Sequence, residues 1–308
     1  MPQSMDTMST FTIEPRGAYS LRESAMFGFG GREGSWDGRM RLAFCLDGYA
    51  ARRGQVGQVG VVLTEPDGPG GVVVGETTGD ADPEDVRAQV ARVLSLDHDG
   101  HGFDELGQRD PVIAALQAVR PGMRPPQFSI PYEAALWSVL SARRPARQMA
   151  QVRAALSRAH GAVFDLAGEE LAAVPTPSQL LAVETFPGIP EVKLTRMHAV
   201  ARAALDGRLD VAHLTSLDPE EAMREVQELP GIGPFYSALV VIRACGLTDV
   251  LPTQEPKALE LVRQLYGLTT TPTADELTAI AEPWKPFRTW ATVLIRAAGD
   301  TYLARRAA

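Results

Sequence analysis

Two glycines and two prolines within six residues, Leu229-Pro230-Gly231-Ile232-Gly233-Pro234, place the tightest constraint on how this chain folds. No α-helix runs through them, because Pro230 has no N–H to donate and glycine makes left-handed backbone cheap. Helical signals flank the break on both sides. Before it, Asp218-Pro219-Glu220-Glu221 offers a capping side chain, a proline for the first helical position and acids for the first turn. After it, Pro234 opens a second helix with Ala238, Val241 and Ile242 on one face, and Gly246 closes it. The stretch therefore reads as helix, hairpin, helix. The first N–H groups of the second helix lack partners within it, which suits them to a phosphate. A plain packing turn between two helices is the other reading of the same pattern.

At 308 residues and 45% hydrophobic, the chain is long enough for a sizeable core in one large domain or two. Its net charge of −8 is unevenly spread. Residues 1–120 hold 11 Lys and Arg against 18 Asp and Glu, whereas residues 121–308 hold 19 against 20. Between Ala134 and Phe164 there is no acid but five arginines, Arg143, Arg144, Arg147, Arg153 and Arg158. That asymmetry permits a basic face on an acidic protein, though a solvated helix face gives the same pattern. Cys45 and Cys245 are too few and too distant for a disulfide framework or a metal knuckle. No basic leader with an apolar core and no membrane-length apolar run is present, so a soluble, cytoplasmic protein is expected.

Along the chain, residues 1–10 read as a frayed polar end. Alternating or β-branched runs at 39–46, 59–64 and 71–76 predict strands, and Asp82-Pro83 starts a helix reaching about Leu94. The glycine-rich Phe27-Gly28-Phe29-Gly30-Gly31-Arg32 lacks the Lys-Ser/Thr ending of a phosphate loop and reads as loop. His98 and His101 form a His-x-x-His pair with no third ligand nearby, a weak metal signal. From 121 onward helices follow one another, opened at Pro131, Pro145, Thr176, Pro190 and Thr273. Phe186-Pro187-Gly188-Ile189-Pro190 echoes the hairpin but reads as an ordinary turn. The fold class expected is α+β: an N-terminal antiparallel sheet region over 1–120, then an all-α region over 121–308.

The hairpin, the acid-bearing loop from Leu247 to Glu255 before a helix at Pro256, and the segment from Trp284 to Trp290 together resemble one family. It is the helix-hairpin-helix DNA glycosylase superfamily, and specifically its 3-methyladenine DNA glycosylase II branch. The resemblance runs from about Tyr19 to the C-terminus. It implies a monomer that binds double-stranded DNA, associates with the nucleoid, and flips a damaged nucleotide out of the duplex to cut its base from the sugar. Cleavage builds positive charge on the sugar, so a nearby carboxylate is required. Glu255 occupies the position of the family's catalytic aspartate, and Asp249 is the rival. Phe235 stands where lyase-active members carry a nucleophilic lysine, so the implied activity is monofunctional, with water attacking.

The same resemblance assigns DNA contacts to Leu229, Gly231, Ile232, Gly233 and Phe235. Arg143 and Arg144 stand where the family commonly has glutamines, near the gap left by the flipped base. Trp137, Phe235, Tyr236 and Trp290 are the candidates for an aromatic pocket that attracts a cationic alkylated purine. No iron–sulfur cluster is expected, and the hairpin carbonyls are candidates for a monovalent or divalent cation. The implied function is excision of alkylated purines in base excision repair. The alternative is a non-catalytic DNA-damage-binding protein, because Glu255 is one methylene longer than the family's aspartate.

Overall fold

The computed structural model describes residues 8–27, 36–48 and 57–307. An antiparallel four-stranded sheet is built from β1 (Met8–Ile13), β2 (Arg39–Cys45), β3 (Gln58–Thr64) and β4 (Val73–Thr78). Their order is β1-β4-β3-β2. Three strands fall where alternation predicts them. The fourth, β1, takes the last three residues of the expected frayed end; residues 1–7 lie outside the described residues, as does the glycine-rich loop beyond Phe27. Ser9, Thr10 and Thr12 disguise β1 as coil, yet Phe11 and Ile13 are buried. Phe11 pairs with Gly75 on β4, where an added Cβ would meet the ring at 2.2 Å. The glycine is thus the space the aromatic ring fills.

The nine longest helices among the described residues are α1 (Pro83–Val93), α2 (Pro111–Val119), α3 (Pro131–Ser141), α4 (Ala146–His160), α5 (Glu191–Leu205), α6 (Pro219–Gln227), α7 (Pro234–Ala244), α8 (Pro256–Leu265) and α9 (Arg288–Ala307). Proline stands at the first or second position of six of them, where its missing N–H costs nothing. Asp82 and Asp110 cap α1 and α2 through their side chains. Asp218 makes no such bond at α6, contrary to expectation, and contributes only its carbonyl, to Ala222. Capping boxes at Thr176 with Gln179 and Thr273 with Glu276 start two shorter helices as expected.

Three apolar cores result. Val86 and Val90 of α1 pack on the sheet; α3, α5, α6 and α7 share a second core; and residues 103–123 share a third with α8 and α9. The helical region also contains a small hairpin that periodicity did not predict, β5 (Val163–Asp165) with β6 (Glu170–Ala172). Ala167 and Gly168 make its turn at φ 53 and 79, and Phe164 and Leu166 seat on Gly60 of β3. Among the described residues, no helix is long and apolar enough to cross a membrane.

Candidate nucleic-acid interface

Helices α6 and α7 pack side by side through the turn that joins them. Leu229 and Ile232 turn inward, each 5% exposed, and anchor the turn to the core. The Ile232 N–H donates to the Leu229 carbonyl at 3.1 Å, closing the turn. Gly231 has φ +94, and a Cβ there would lie 2.9 Å from the Arg196 side chain, so only glycine fits. Gly233 is extended and faces open space. No acid occupies the first turn of α7. The N–H groups of Phe235 and Tyr236 sit in that turn, where no intrahelical acceptor exists. Phe235 is 42% exposed and meets Tyr236 edge to face at 5.2 Å. The Leu229 carbonyl accepts the Ile232 N–H and the Gly233 carbonyl accepts the Ser237 N–H.

A basic surface adjoins the turn. Arg143 and Arg144 are exposed in the loop after α3, and Arg143 adopts φ 56, uncommon for a residue with a Cβ. Lys193 of α5 donates from Nζ to the carbonyls of Leu140 at 2.6 Å and Ala142 at 3.0 Å. Burial, then Arg144 and Arg196, push the Lys193 ammonium below its usual pKa. Arg196 in turn lies against Gly231. Lys193 and Arg196 escaped the sequence reading, because a pair of cations three apart on a helix is also the mark of a solvated face.

The two carboxylates differ in their commitments. Glu255 caps α8: its Oε2 accepts the Ala258 N–H at 2.6 Å and pairs with Arg296 Nε at 3.2 Å. Its side chain is 25% exposed, and among the described residues no hydrogen bond engages Oε1. Asp249 instead accepts from the Arg288 guanidinium at 2.8 and 3.0 Å and from the Arg288 backbone N–H at 3.2 Å. Both of its oxygens fasten the loop to the start of α9, a structural duty.

The predicted aromatic pocket residues do not converge. Trp137 lines a cavity of about 570 Å³ with Trp36, Phe128 and Glu133. Phe235 and Tyr236 stand at the hairpin and are not in that wall. Trp290 is a correction: it is fully buried among Phe103, Phe287 and the Arg124 guanidinium, so its helical spacing marks core. Glu133, which carried no sequence signal, is buried in the cavity wall and accepts from Arg153 at 2.9 Å and the Cys45 N–H at 3.2 Å; burial raises its pKa. The two histidines turn to separate partners, His98 to the Gly246 carbonyl and His101 to Asp99.

This architecture has counterparts. The chain superposes on a 3-methyladenine DNA-glycosylase from Archaeoglobus fulgidus with a TM-score of 0.72, at 18% identity, over 96% of this chain and 98% of that one. In sequence it is 22% identical over 214 residues to a DNA-3-methyladenine glycosylase of Bacillus subtilis strain 168, covering 68% of this chain and 70% of the relative. It is 27% identical over 188 residues to DNA-3-methyladenine glycosylase 2 of Escherichia coli K12, covering 59% of this chain and 63% of the relative. No family model matches the chain. The α+β fold with its glycine hairpin defines a helix-hairpin-helix protein. With these likenesses, the chain shares the fold of helix-hairpin-helix DNA glycosylases and is similar in sequence to proteins named 3-methyladenine DNA glycosylases.

Proposed function

We propose that this protein is a monofunctional DNA glycosylase that excises alkylated purines from duplex DNA. The observation that carries the reading is a partly exposed carboxylate, Glu255, held at the start of α8, which follows the loop after the second helix of an open glycine hairpin. The hairpin N–H groups and the flanking cations hold the phosphate backbone; the damaged nucleotide rotates out of the stack. As the N-glycosidic bond lengthens, positive charge grows on the sugar, and the Glu255 carboxylate stabilises it. Oε1 is the oxygen left for this task, since Oε2 serves the helix cap. Water completes the substitution, because Phe235 offers no amine. The names of the relatives support alkylated purines as the substrate class.

The second reading, a binder of damaged DNA without chemistry, has one observation in its favour. The Arg296 guanidinium beside Glu255 offsets part of the charge that the reaction needs. Release of free base from duplexes carrying methylated, ethylated or deaminated bases, followed by chromatography, decides between them. Free alkylated purine supports the enzyme; tight lesion binding with no base released from any substrate supports the binder. Borohydride treatment during the assay should trap no covalent adduct. A trapped adduct would sink the monofunctional assignment.

A further inference from the structure

Helix α5 touches two separate pieces of the interface. Lys193 reaches the carbonyls at the end of α3, and Arg196, one turn later, lies against Gly231 of the hairpin. The last carbonyls of a helix lack N–H partners and sit at the negative end of its dipole, so an ammonium there is well placed. Two of the three Lys193 N–H donors are spent on Leu140 and Ala142. The very next residue, Arg143, takes the left-handed backbone at φ 56 that turns the chain outward. Neither Arg143, Arg144 nor Arg196 has a carboxylate partner among the described residues. Arg144 and Arg196 are close enough to Lys193 to lower its pKa, after the larger effect of burial. Cations held together without acids between them repel, and a bound anion removes that cost.

We propose that Lys193 is a positioning residue: it fastens residues 142–144 to α5, so that Arg143, Arg144 and Arg196 stand beside the hairpin as one phosphodiester-binding surface. The assignment rests on the reading that this protein binds duplex DNA. Lys193 acts through the arginines, while its own ammonium stays on protein carbonyls. The loop and the hairpin then engage one backbone as a unit.

The test is duplex affinity by fluorescence anisotropy across a salt series, with undamaged DNA. Wild type is compared with Lys193→Met, Lys193→Arg, Arg144→Ala, Arg196→Ala and the double variant Lys193→Met/Arg144→Ala. Lys193→Met should weaken binding about tenfold, and Lys193→Arg should restore most of the loss. Arg144→Ala and Arg196→Ala should each lower the salt slope by about one. In the Lys193→Met background, Arg144→Ala should cost little more, because the loop is already released. Additive losses in the double variant would make Lys193 an independent phosphate contact and overturn the proposal. Unchanged salt slopes for both arginine variants would overturn it also, even if Lys193→Met fails to fold. Wild type that binds no duplex refutes the functional reading itself, an outcome distinct from either of these.

Discussion

The chain contains two turns built on Pro-Gly-Ile, and they serve different ends. At Phe186-Pro187-Gly188-Ile189-Pro190 the glycine has φ +84, and a Cβ there would press on Val152 at 2.9 Å. Phe186 and Ile189 close the turn with a β-bridge, and the helix that follows carries Glu191 in its first turn. An acid there answers the helix dipole from within the protein. At the hairpin the corresponding glycine has φ +94, but its neighbour is the Arg196 side chain, and no acid follows in α7. The backbone conformations nearly match, so the neighbours decide the role. An apolar neighbour and an internal acid make a packing turn; a cation and an unanswered helix start are what the proposed phosphate site requires.

The largest contrast should come from the acids at the starts of α8 and α5. Glu255→Gln keeps shape and cap geometry but loses charge, so base release should fall about a hundredfold or more. Lesion binding should persist. The matching change at the start of α5, Glu191→Gln, should leave base release unchanged. Glu255→Asp restores the shorter side chain of the family and should retain or raise the rate. Should Asp249→Asn abolish release while Glu255→Gln does not, the loop alignment is wrong.

Valine at the glycines gives the next contrast. Gly188→Val forces a β-branched residue into left-handed backbone against Val152, at about 2–4 kcal/mol of stability, read by urea denaturation. Gly233→Val meets open space in extended backbone that valine favours, so stability should hold. Its side chain would keep phosphate from the N–H groups, and duplex affinity should drop about tenfold or more. A Gly233→Val protein that binds DNA normally would reduce the hairpin to a second packing turn. Gly231 is a poorer test, because its left-handed φ and its contact with Arg196 confound folding with binding.

Much of this was legible in the residues. Prolines and caps announce the helix starts, and the positive-φ glycines mark the breaks, since each is a local constraint. β1 was hidden because an edge strand can be held by backbone bonds and two inward apolar residues among polar ones. The hairpin β5–β6 was hidden because it is three residues per strand and rests on a distant glycine, Gly60. At the site, the hairpin is legible from local pattern, whereas Glu255 is singled out only by the family resemblance. Trp290 was misassigned because helical spacing is the same for core and pocket, and only burial separates them. Lys193 and Arg196 were missed because their roles are contacts across 53 and 35 residues, which no local pattern encodes.

The smallest expected effect concerns Arg143, and its value lies in its sign. Glycine at this position removes left-handed strain of about 1–2 kcal/mol and adds unfolded-state entropy that opposes folding by about 0.4–1 kcal/mol. Arg143→Gly should therefore leave stability unchanged or raise it by up to about 1.6 kcal/mol. The same variant loses one cation from the surface beside the hairpin. Duplex affinity should fall a few-fold, and the salt slope should shrink by about 0.9. Gly188→Val moves the other way, losing stability while the folded fraction binds DNA as before. The basic loop after α3 and the packing turn at Gly188 would then be separated by opposite responses in stability and in binding. If Arg143→Gly is less stable than wild type, the Arg143 side chain itself holds the loop. If its salt slope matches wild type, Arg143 faces away from the phosphates, and the basic surface narrows to Arg144 and Arg196.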